Sequence, residues 1–353
     1  MSGLFSPLKL GSITIQNRIG MSALTRNRST ATVPNEIMKK YYVQRAAGEA
    51  GLIVTEGTLI TRQGSEWPQA PGIWDKSQVA EWRKITNAVH AEGSKIYCQV
   101  WHLGRVSHPD APEQITAGVP VYGPSAISAR GGKFRFLPGN PGYVTPTELP
   151  DPTVIIAQFK EAAINAKEAG FDGVELHGAN GYIVHQFLDS TANERTDQWG
   201  GSPENRARFA LEILKALIEV WGPDVSLKLS PAGGYNDMGM PLQETVDKLG
   251  LSYVTLVRYS PALDPEFDDV QPFLAKTPLF VNCGVTPTEA EELVSSGKAA
   301  GVSMGLNWIT HPDVTKRIKA GKPLDNVPDF AHLYGAVGVD PALGYVDYKE
   351  AEY

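Results

Sequence analysis

The sequence has little of what would suggest several classes of protein. Only two of its 353 residues are cysteines, Cys98 and Cys283, each inside an apolar, strand-like run. Two buried free thiols are therefore expected, ahead of a disulfide or a metal site. No apolar run approaches the roughly 20 residues that a membrane-spanning helix needs. The opening MSGLFSPLKLGS has neither the basic start nor the apolar stretch of a secretion signal, so a soluble, cytoplasmic protein is expected. Lysine and arginine never cluster and the net charge is −7, which disfavours a nucleic-acid partner. His90, His102, His108, His185, His311 and His332 show no metal-ligand spacing, and no metal is expected. A G-x-G-x-x-G turn is also missing, which argues against a doubly wound dinucleotide-binding sheet.

What is present is an alternation. Short β-rich runs recur at 17–24, 51–57, 95–101, 173–179, 225–231, 253–258, 279–284 and 301–305. Between them lie amphipathic stretches with helical spacing, such as 77–93, 153–170 and 202–222. Asp151-Pro152 and Ser202-Pro203 carry helix-start chemistry, and Gly93, Gly170 and Gly222 stand where helices stop. This pattern, at this length and without a linker, predicts a single-domain α/β fold over 1–353, a (β/α)8 TIM barrel. FSPLKLGSITIQNRI reads as an N-terminal hairpin able to plug the barrel floor. The Pro/Gly-rich 102–150 segment, with ISARGGKFRFLPG, is a long loop after strand three of the kind that forms lids and binding loops. Met21, Met238, Met240 and Met304 read as packing residues.

Barrel active sites form where strands end. Thr25 follows strand one, Gln99 and Trp101 close strand three, His177 and Asn180 close strand four, and Lys228 lies late in strand five. A single histidine there is more often structural than catalytic; it is the cluster that carries the argument. His177 and Asn180 can each donate to one oxygen, polarising a carbonyl as an oxyanion hole does. Tyr182 stands close enough in sequence to deliver a proton.

SALTRNRS (22–29), YYVQRAAGEAGLIVTEGTLI (41–60), PGIWDKSQVAEWRKI (71–85), QVWHLGR (99–105), HGANGYIVHQFLDSTANERTDQWGGSPENRARF (177–209) and THPDVTKRI (310–318) together resemble the Old Yellow Enzyme family of flavoprotein ene-reductases. The resemblance implies FMN as cofactor, NADPH as reductant, and a small α,β-unsaturated carbonyl compound as substrate. It implies that Thr25 bonds the flavin O4 and that Gln99 holds the pyrimidine edge. His177 and Asn180 match the pair that grips the substrate oxygen, Tyr182 the proton donor, and Trp101 and Tyr334 the pocket lining. Gly284 and Gly305 match the backbone that receives the FMN phosphate.

Two anchors depart from the family pattern. Lys228 stands where an arginine is usual at the flavin N1/O2 edge, and Gly305-Leu306 replaces Gly-Arg at the phosphate. Losing one charged hydrogen bond costs roughly 1.5–3 kcal/mol, about ten- to hundred-fold in FMN affinity. The connection between strands five and six is also short. Two functions therefore remain open. One is an FMN-dependent, NADPH-driven ene-reductase; the other is a flavin-poor or flavin-free barrel that uses the same cluster to isomerise or cyclise an enone. Lys228 itself has two readings, a cation facing the flavin or a structural lysine paired with Glu175.

Overall fold

A computed structural model describes residues 3–130, 142–230, 238, 250–258 and 277–353. Met240, most of ISARGGKFRFLPG and the short connection between strands five and six lie outside the described residues.

The barrel strands are Ile19–Met21, Leu52–Val54, Lys95–Trp101, Gly173–His177, Val225–Leu229, Val254–Val257, Leu279–Asn282 and Gly301–Met304. Each pairs in parallel with the next, and Val302↔Ile19, Ser303↔Gly20 and Met304↔Met21 close the circle. Closure leaves no free edge, so the strands can be short and, apart from Lys95 at the start of strand three, buried throughout. A two-residue strand, Thr58–Leu59, extends the pairing at the end of strand three.

The surrounding helices begin as their sequences dictate. Asp151 caps Pro152–Glu168 through Thr153 N, and Ser202 caps Pro203–Trp221 through Asn205 N. Asp75 and Gln78 form a reciprocal capping box at the start of Lys76–Ala91. The apolar faces of these helices join the strands in one large core that includes Trp82, Phe159, Phe209 and Leu217. Met21, Met238 and Met304 are buried.

Leu8–Leu10 and Ile13–Ile15 form the N-terminal hairpin. Leu10 and Ile15 pack on Leu52, Val54, Tyr97, Tyr253 and Phe280, mostly near the starts of their strands, and so plug the floor. Ser12 fastens the hairpin by donating its N–H and hydroxyl to Asp224, at 2.7 and 2.6 Å. Gly11 makes this approach possible: its φ is +54°, and a Cβ there would lie 2.5 Å from Asp224 Oδ1.

Among the described residues both cysteines are free thiols, but only Cys98 is buried. Cys283 is half-exposed, contrary to expectation. Strand seven stops at Asn282, and Cys283 turns away with φ +80°, leaving the pleat that would have hidden it. No described helix is long and apolar enough to cross a membrane.

Candidate active site

Strand four delivers His177 at its last position, and the chain then folds tightly. Asn180 and Gly181 both adopt positive φ, 57° and 75°, a conformation that asparagine and glycine tolerate best. This turn carries Tyr182 back beside His177, with ring centroids 4.8 Å apart and edge-on. Trp101, from the end of strand three, meets Tyr182 edge-on at 4.9 Å and lies nearly parallel to His177 at 6.2 Å. Trp101 is buried against Gly57, where a Cβ would come within 2.4 Å of its ring. Its ring therefore backs the wall that Tyr182 fronts.

His177 is buried and its pKa lies well below the usual imidazole value, chiefly through burial, with the positive charge of Lys228 and the neighbouring His185 ring adding to the effect. The neutral ring accepts the Ala179 N–H at Nδ1, 3.3 Å away. The proton therefore sits on Nε2, making that atom a hydrogen-bond donor.

Below this cluster lies a polar interior. Gln99 Nε2 donates to Glu175 Oε1 at 2.8 Å, and Thr255 Oγ1 to Glu175 Oε2 at 3.3 Å. Burial raises the Glu175 pKa, while Lys228 and Gln99 act against the shift. Lys228, also buried, donates to Ser22 Oγ at 3.0 Å. No hydrogen bond joins its ammonium to Glu175 among the described residues. Two of its three donors are unspent, so the seat suits an electron-rich acceptor. Burial lowers the Lys228 pKa, while Glu175 opposes the shift.

Thr25 is half-buried on the loop after strand one. Glu56, beyond strand two, fixes that loop by accepting the Arg26 and Asn27 N–H groups at 3.0 and 3.1 Å. Tyr334 reaches the Trp101 cluster through Trp67, which packs against that cluster alongside Tyr182. It contacts Trp67 at 4.8 Å, and the residue after it, Gly335, donates its N–H to Arg26 O. Gly284 and Gly305 lie past the ends of strands seven and eight, which Asn282 ties together by donating from Nδ2 to Ser303 O at 2.6 Å. Leu306 opens the short helix after Gly305 and is 50% exposed.

Four further residues hold the cluster and the Thr25 loop in place. Ser230 accepts the Asn180 N–H, His185 accepts the Gly181 N–H, and Gln186 donates to both Leu103 O and Gly181 O. Glu56 is the fourth. As an acid ending the apolar run GLIVT, it satisfied the same strand-end rule that singled out His177. His185 and Gln186 lie inside the 177–209 motif, and it is their bonds to Gly181 that give them a part in the site.

The model of the NADH:flavin oxidoreductase / NADH oxidase family matches residues 3–257. The chain belongs to the Old Yellow Enzyme family. Among this family's curated members, 12-oxophytodienoate reductase 2 of Arabidopsis thaliana is 34% identical, across 99% of this chain and 96% of that protein. A protein described as probable inactive reductase easA, from Epichloe festucae var. lolii, is 37% identical across 92% of this chain and 90% of its own length. The solved structure of morphinone reductase superimposes with a TM-score of 0.89 at 35% identity, covering 99% of this chain and 96% of that one. Old Yellow Enzyme relatives are FMN oxidoreductases. The donor set fits that cofactor at one point in particular, the buried Lys228 ammonium with unspent donors.

Proposed function

We propose that this chain catalyses the FMN-dependent, NADPH-driven reduction of the C=C bond of an α,β-unsaturated carbonyl compound. One observation carries the reading: a neutral, buried His177 with its proton on Nε2, set beside Asn180 and in ring contact with Tyr182.

FMN, when bound, would supply the hydride chemistry, with NADPH as the reductant. His177 Nε2–H and the Asn180 amide donate to the substrate oxygen, where negative charge grows as the β-carbon is reduced. Donors aimed at charge that appears only in the transition state lower the barrier rather than merely tightening binding. Tyr182 then gives its phenolic proton to the α-carbon. Trp101 and Tyr334 bound the pocket. Lys228, Thr25 and Gln99 would hold the pyrimidine edge of the flavin, Lys228 by its positive charge, and the backbone at Gly284 and Gly305 would receive the phosphate.

A flavin-poor barrel is the second reading. It is favoured by the exposed Leu306 at the phosphate position and by the relative described as a probable inactive reductase. In that case His177, Asn180 and Tyr182 would isomerise or cyclise an enone without redox change.

The polarising pair is tested by the double variant His177→Ala, Asn180→Ala. Loss of one such donor costs about 10²–10³-fold in turnover, so the double variant should lose at least that factor, together with all binding of a phenol, whose oxygen would accept the same two hydrogen bonds as the substrate oxygen. Unchanged turnover would remove both residues from the site.

A further inference from the structure

Leu306 leaves the turns after strands seven and eight without the guanidinium that the family motif places there. Another guanidinium stands at the neighbouring strand end. Arg258 directly follows strand six, its N–H donates to Asn282 O at 3.0 Å, and its Nη2 donates to the Cys283 carbonyl at 3.3 Å. Cys283 and Gly284 both have positive φ, 80° and 65°, so the chain bends sharply beneath this side chain, and Gly284 is exposed.

The Arg258 side chain is only 7% exposed, yet its Nε has no hydrogen-bond partner among the described residues. Its Nη1 and Nη2 meet the Glu289 carboxylate at 2.7 and 3.1 Å. Glu289 sits in the first turn of Pro287–Ser295 and is 29% exposed. The pair is therefore asymmetric: a buried, fixed cation with an unspent donor, and a carboxylate that can rotate into water.

We propose that Arg258 is the phosphate-binding arginine of this chain, replacing the cation missing at position 306 and recognising the phosphate monoester of FMN at the Cys283–Gly284 turn. The proposal rests on the reading that the barrel holds FMN. Glu289 is the resting counter-ion and gives way when the phosphate arrives. A phosphate monoester carries more charge than a carboxylate and presents more acceptor oxygens to the same planar fork. Barrels frequently bind phosphate at the loops after strands seven and eight, and Arg258 contacts the first of these.

The test compares FMN with riboflavin, which lacks only the phosphate. The full-length protein, stripped of flavin at high salt, is titrated with each ligand while flavin fluorescence is followed. The ratio of the two affinities isolates the phosphate contribution. The wild type should prefer FMN by roughly tenfold or more, as expected for a charged hydrogen bond. Arg258→Met should cut that ratio severalfold, leaving only the preference owed to the backbone N–H groups of the turns, without changing riboflavin binding. Glu289→Gln, which keeps the packing and removes the competing charge, should raise the FMN preference, and it serves as the test if Arg258→Met does not fold. Full FMN preference in Arg258→Met, or an unchanged ratio in Glu289→Gln, would show that Arg258 is only a strut. A wild type that binds both flavins equally overturns the proposal but leaves the flavin reading standing. One that binds neither overturns that reading as well.

Discussion

Ser230 holds Asn180. The Asn180 N–H donates to Ser230 Oγ at 2.8 Å, joining the loop after strand four to the end of strand five. Ser230 Oγ also lies 3.5 Å from His185 Nδ1, the atom that accepts the Gly181 N–H. Asparagine in the left-handed region costs energy on the order of 1 kcal/mol. Here a hydroxyl and an imidazole, placed away from the reacting atoms, offset that cost.

Ser230→Ala should therefore loosen the Asn180 turn while leaving its amide present. Losing one hydrogen bond of about 1 kcal/mol corresponds to roughly fivefold. Phenol dissociation constants should rise by about that factor while the rate of NADPH oxidation stays unchanged. An equal loss in both would mean that Ser230 supports the barrel as a whole.

Tyr182→Phe should separate the two half-reactions. Only alkene reduction needs a proton donor, so it should slow by about 10²–10⁴-fold, with NADPH oxidation nearly intact. Stopped-flow measurement of each half decides this. Equal slowing of both would make Tyr182 structural, and if the barrel works without redox change the same variant should instead stop isomerisation outright.

Acid should destabilise the fold from about pH 6.5 downward. Burial depresses the pKa of His102 to about 3 and of His185 to about 4, and pushes His177 well below 6.5. Below the ordinary imidazole value the unfolded chain binds protons that the native chain refuses. Each such group then costs up to about 1.4 kcal/mol per pH unit. Glu56, raised by burial to about 7, acts in the opposite sense, favouring the fold as pH falls from 7 toward 4.5. Glu175, also raised by burial, acts with Glu56, while burial lowers His108 and His311 as well; two acids against five histidines leave a net loss, so the melting temperature should fall between pH 6.5 and 5. A flat profile would contradict the buried, neutral histidines.

The barrel was legible because its signals are local. Asp151-Pro152 and Ser202-Pro203 start helices wherever they occur before an apolar face, and eight β-rich runs alternate with helices at regular spacing. His177, Asn180, Tyr182 and Trp101 were legible because strand ends in a barrel share one mouth, and the structure brings the three rings together. Glu56 and Ser230 were harder to see. Each acts on a backbone N–H of a loop distant in sequence, Glu56 at residues 26 and 27 and Ser230 at residue 180, and no periodicity encodes such a bond. Cys283 departs from expectation because the apolar start of the 279–284 run carries the strand pattern two residues past Asn282, where pairing stops.

Leu306→Arg should restore a guanidinium to the exposed start of the helix after strand eight and tighten FMN binding by about tenfold. Equilibrium titration of both proteins measures it. Unchanged affinity would mean that the phosphate does not reach that turn.

The most direct test of the central claim is the visible absorbance of the purified protein, titrated with FMN and then given NADPH under anaerobic conditions. Saturable uptake of FMN, bleaching of the flavin band by NADPH, and recovery of the band when an α,β-unsaturated carbonyl compound is added are the expected results. A colourless protein that takes up no FMN at saturating concentration, yet still converts an enone, would contradict that claim and leave His177, Asn180 and Tyr182 as a cofactor-free acid–base site.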